Sequence, residues 1–149
     1  MLFDIFAKTI NLFLKQKKEK VAGESGFLQI QKRQLFHKDI PDLVTIKNIS
    51  GDNFNKLLEI FNRYDAVKSE KLKENPNKYE FLTKTVLYKL PTKRTRQEVS
   101  DLIALEFSLW FKHAYNDFSN KDELIDEVAN LKNKYLKIDP FESRRIYNK

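Results

Sequence analysis

Between Thr95 and Phe118 the chain carries apolar side chains on two sides of one helical path, and this segment constrains the fold more than any other. At about 100° per residue, Ile103, Ala104, Phe107, Trp110, Phe111, Ala114, Tyr115 and Phe118 cover one wide face. Leu102, Leu105 and Leu109 line much of the other. A helix that is apolar on two sides has to be packed on two sides. Thr95 and Glu98 have the Thr-x-x-Glu spacing of a capping box, in which each side chain satisfies an orphan amide of the first turn. The spacing therefore predicts a long central helix from this cap to about Phe118, inside a mainly α domain.

Its partners are visible on both sides. Asp52 opens a second helix after the turn residues Ser50 and Gly51, with Phe54, Leu57, Leu58, Phe61 and Tyr64 on one face. Beyond Val67 that pattern dissolves into lysines and glutamates, a solvated extension that Asn75-Pro76-Asn77 would end. A last helix is expected from Lys121 to Lys137. Asn120 is its cap, acids fill its first turn, lysines fill its last, and Leu124, Val128, Leu131 and Tyr135 form its stripe. Two stretches are ambiguous. Leu43 to Ile49 is β-prone, and Tyr79, Phe81, Thr83, Thr85 and Leu87 alternate, so a small two-stranded element from these regions is an expectation beside the helices.

The first fourteen residues form a separate problem. Leu2, Phe3, Ile5, Phe6, Ala7, Ile10, Leu12, Phe13 and Leu14 leave only a narrow polar strip, and lysines follow from Lys15 to Lys20. An isolated helix of roughly 12–15 residues is marginal in water, so such an arm needs a surface. A partner's groove, a membrane surface or the domain's own core would each serve. Leu2, Phe3, Phe6, Ile10, Phe13 and Leu14 are the candidate contact residues. Gly23 and Gly26 mark the junction, which divides the chain into an arm (1–21), a helical body (27–138) and an extended C-terminal tail (139–149). In the tail Phe141, Ile146 and Tyr147 accompany Arg144 and Arg145 behind a proline, the make-up of a segment that lies across another subunit or folds back on its own body.

Charge and composition narrow the function. The chain has 149 residues, 28 lysines and arginines against 21 acids, and a net charge of +7, which favours anionic partners. Cysteine is absent, which excludes thiolate catalysis and thiolate-bound zinc. No glycine-rich phosphate loop, paired-histidine metal motif or nucleophile elbow occurs, so no cofactor, metal, small-molecule substrate or enzymatic activity is expected. His113 and Asp117 lie four apart, with Glu106 earlier on the same predicted helix, a spacing that can make a base or half a metal site. A boundary hydrogen bond explains the pair equally well. Lys84, Lys89, Lys93, Arg94 and Arg96 form an acid-free basic run leading into the capped helix, the best candidate for phosphate contacts.

No apolar run reaches the ~20 residues of a membrane span, and the lysines follow the first apolar stretch instead of preceding it, unlike a signal peptide. A virion or cytoplasmic location is expected. Taken together these features lead to an expectation of a non-enzymatic structural or assembly subunit of a large multi-protein complex, such as a bacteriophage virion. It would bind other protein subunits through its arm and tail. A nucleic-acid-associated protein, a peripheral membrane protein with an anionic lipid partner and a small host-inhibitory protein are the alternatives.

Overall fold

A computed structural model describes residues 37–68, 77–112 and 114–147. All regular structure among them is helical: α1 (Leu43–Ser50), α2 (Asp52–Tyr64), α3 (Glu80–Lys89), α4 (Arg96–Phe111), α5 (Lys121–Tyr135) and α6 (Glu142–Tyr147). Short 3-10 turns cover Leu90–Thr92 and Ala114–Asp117. Contacts divide the chain after Lys38, and Asp39–Lys149 is one unit. The predicted arm with Leu2, Phe3, Phe6, Ile10, Phe13 and Leu14 lies outside the described residues.

Helices α2, α3, α4 and α5 form a closed ring of contacts in which each packs on its predecessor and α5 returns to α2. Helix α1 lies against α2 and α3. The predicted two-stranded element is thus replaced by two helices, and local chemistry explains why. The Asp42 carboxylate accepts from the Thr45 amide at 2.8 Å, which caps α1 and outweighs the β preference of Val44, Thr45 and Ile46. Gly51 ends α1 at φ +57°, donating its N–H to the Lys47 carbonyl.

In α3 the alternation that resembles a strand is produced by buried threonines. Thr83 donates its hydroxyl to the Tyr79 carbonyl at 2.6 Å, and Thr85 donates to the Leu82 carbonyl at 3.1 Å. With their hydroxyls satisfied inside the helix, both residues are fully buried alongside Leu82, Val86 and Leu87. A helix covered by three neighbours shows no clean apolar stripe.

The predicted cap of α4 is present: the Glu98 amide donates to Thr95 Oγ1 at 3.1 Å, and Glu98 Oε2 accepts from the Arg94 amide at 3.2 Å. The helix ends earlier than expected, at Phe111, with Lys112 at φ +58°. Apolar periodicity persists beyond it because the Ala114–Asp117 turn lays Tyr115 flat on Phe107, with ring centroids 4.5 Å apart. Phe61 meets Phe107 edge-on at 5.8 Å, and Tyr79 and Phe111 approach it at 6.3 and 5.9 Å. Phe107 is therefore the aromatic centre of the core.

Other boundaries shift for similar reasons. Helix α2 stops at Tyr64, where Asp65 turns left-handed at φ +42° and donates its N–H to the Phe61 carbonyl at 2.9 Å. The Tyr79 hydroxyl then donates to Asp65 at 2.6 Å and accepts from the Val67 amide at 3.0 Å, tying together both ends of the 65–79 connection. Burial, with the Asp65 carboxylate beside it, holds the Tyr79 phenol far above its ordinary value. In α5, Leu124, Ile125, Val128 and Leu131 are buried, whereas Asn120 occupies the cap position without a side-chain bond.

The C-terminal tail is not extended. Asp139 accepts from the Phe141 amide at 2.9 Å, Phe141 is fully buried, and Glu142–Tyr147 continues as α6.

Candidate functional site

The basic run of α3 and the 3-10 turn meets the C-terminal tail, and between them lies a cleft of about 730 Å³. Its lining comes from two stretches of the chain, Pro91, Thr92 and Arg94 on one and Lys137, Ile138, Asp139, Glu142 and Arg145 on the other. Two groups of residues that sequence patterns treat separately are thus neighbours.

The tail builds its part of the lining by hooking onto α3. Phe141 packs against the Tyr88 ring at 5.2 Å, and the Arg145 guanidinium lies over the same ring at 4.1 Å. Arg145 Nε donates to Asp139 Oδ2 at 2.7 Å, and its Nη2 donates to the Tyr88 carbonyl, 57 residues away in the chain. Phe141 and Arg145, named as residues that could reach another subunit, are committed to their own body. Arg144 is exposed on α6, and Ile146 and Tyr147 complete that helix, their side chains lying outside the described part.

The five residues of the basic run do not form one track. Lys89 is paired at 2.7 Å with Glu106, whose side chain is fully buried. Arg96 donates to Asp126 at 2.7 Å and to Asp122 at 3.4 Å, and these carboxylates raise its guanidinium above the ordinary value. Burial, then the neighbouring Lys89 ammonium, pushes Lys93 down, and burial pushes Lys84 down. Lys84 lies 5.9 Å from the Phe81 ring. Arg94 alone of the five lines the cleft. It is exposed and makes no ion pair among the described residues.

In the same lining Lys137 is likewise exposed, and Ile138 beside it is 84% exposed, the most open large apolar side chain described. Two cations about an open cleft can hold a carboxylate or phosphate oxygen by charge-assisted hydrogen bonds. Glu142 adds a negative charge to the lining, where Asp139 is already paired with Arg145. Sequence reasoning missed Lys137, Ile138, Asp139 and Glu142. The one local signal was Asp139-Pro140 behind a lysine-rich helix end, which marks a turn but not its target.

The single long helix expected to carry both His113 and Asp117 ends at Phe111, and Asp117 lies in a 3-10 turn. Glu106 is spent on Lys89, and His113 lies outside the described residues. Among the described residues no group of three or more His, Asp or Glu stands where it could hold a metal ion, and no helix is long and apolar enough to cross a membrane. No family model matches this chain, and comparisons with curated proteins and with solved structures return no match.

Proposed function

We propose that this protein is a non-enzymatic structural or assembly subunit of a large multi-protein complex, such as a bacteriophage virion. The observation that carries the reading is the division of the chain after Lys38. The sequence carries nine apolar side chains between Leu2 and Leu14, on the far side of that division, and residues of Asp39–Lys149 build the Phe107-centred core. Burying large apolar side chains is worth about 1.5–3 kcal/mol each. An arm with that much apolar surface and a helical body with its own core suit a subunit that reaches into a neighbour.

The test is sedimentation of the untagged protein from its native source, followed by mass spectrometry across the gradient. Co-migration with a large particle at fixed stoichiometry supports the assembly role. A peak at the top of the gradient removes it and leaves salt-dependent nucleic-acid binding, anionic lipid binding and host inhibition to be compared. The pairing of Lys89 and Arg96 with carboxylates weighs against a phosphate track along 84–96. With the arm's Phe6 and Phe13 changed to aspartate, a subunit that docks through the arm stays folded and leaves the particle.

A further inference from the structure

We propose that the cleft beside the C-terminal hook receives an acidic, partly apolar peptide segment of a partner protein. The cations of the body differ in whether a carboxylate holds them. Lys47, Lys89, Arg63, Arg96 and Arg145 each have a carboxylate partner at 2.8 Å or closer. Arg94 and Lys137 have none among the described residues, and the fold brings both to the lining of one cleft. Ile138, 84% exposed beside Lys137, gives that pair an apolar neighbour. A carboxylate flanked by an apolar side chain complements this arrangement in both charge and hydrophobic contact.

The surroundings discriminate against other anions. Asp139 is compensated by Arg145, but Glu142 lies in the same cleft and repels a continuous phosphate chain, whereas a peptide can place an amide or a basic residue there. The exposed Tyr135, at the end of α5 just before Lys137, is no platform for a nucleobase. Lys56 and Lys134 hold ammonium groups over its ring at 4.1 and 5.2 Å. A single protruding isoleucine inserts too little apolar area for a lipid surface. A peptide is the ligand that uses Arg94, Lys137, Ile138 and the Glu142 carboxylate together.

The inference deepens the assembly reading by assigning chemistry to one partner, and it rests on that reading in taking the partner to be a protein. It is tested by selecting a random peptide display library on the full-length protein. Enriched peptides are expected to combine aspartate or glutamate with an apolar residue. They should bind R94E/K137E about tenfold or more weakly, a loss on the order of 1.4 kcal/mol. A charge-matched control, K38E/K68E, should bind them as wild type does.

I138S supplies a second reading with no change of charge and is expected to weaken the same peptides. Circular dichroism establishes that the variants are folded, which their exposed positions favour. No enrichment, enrichment without acidic residues, or binding unaffected by R94E/K137E overturns the proposal. So does binding of duplex DNA or phosphatidylserine vesicles that is lost in R94E/K137E while no peptide binds. Peptide selection failing while the protein still co-migrates with a particle removes the cleft assignment alone. Peptide binding without co-migration removes the assembly reading alone.

Discussion

Phe107 and Phe141 are buried to the same degree, yet they hold different things together. Phe107 sits among four aromatic rings from α2, α4 and the segments that flank them. Phe141 meets one ring, Tyr88, and is backed by the Arg145 guanidinium at 5.9 Å. The first belongs to the helical ring as a whole, the second to a hook fastened at one point. Burial alone therefore does not say how far a contact's loss spreads. Contiguity with the rest of the core does.

The sharpest way to break this comparison is F107A. Removing the shared ring should cost about 3–5 kcal/mol, read as a lower midpoint in urea with every helix unfolding together. A loss near that of an isolated surface residue would show that the rings around Phe107 are not the core's centre. F141A is expected to cost about 3 kcal/mol, but to act locally first. Hydrogen exchange across 136–147 should rise in F141A at urea concentrations where the amides of α2 and α4 remain protected. Simultaneous loss of protection everywhere would make the hook part of the core and erase the distinction.

R145A leaves the Tyr88 carbonyl and the Asp139 carboxylate without their guanidinium donor. A cost of about 2 kcal/mol is expected by thermal unfolding, again with exchange concentrated at the hook. The smallest effect concerns acid. Hydrogen bonds from Thr45 hold the Asp42 carboxyl below its ordinary value of 3.8. A depressed carboxyl stabilises the fold above the unfolded-state value and loses that contribution as pH falls through the folded-state value. D42A should thus melt below wild type at neutral pH, and the two curves should converge in acid. A gap that persists at low pH would mean the cap acts through something other than its charge.

Much of the helical architecture is legible in local pattern. The Thr95–Glu98 cap, the Phe54–Phe61 stripe and the Leu124–Leu131 stripe are all set by residues three or four apart, and each appears where its spacing predicts. Helix α3 is the failure, because its hydrogen-bonded threonines pass for the polar face of a strand. The end of α4 is another. Apolar periodicity carries through to Phe118, although the chain turns at Lys112 and only then returns Tyr115 to the core.

The candidate site was half legible. Arg94 and the tail each stand out in the sequence, but nothing local joins them. The reason is the range over which each interaction is decided. Caps, stripes and turns depend on neighbours within a turn or two, so the sequence alone determines a mainly helical body. Which arginine stays free and which is spent depends on where distant helices bring their carboxylates. Arg94 and Arg96 are nearly adjacent in the chain, yet only tertiary packing sets Arg96 against Asp126 and leaves Arg94 open on the cleft.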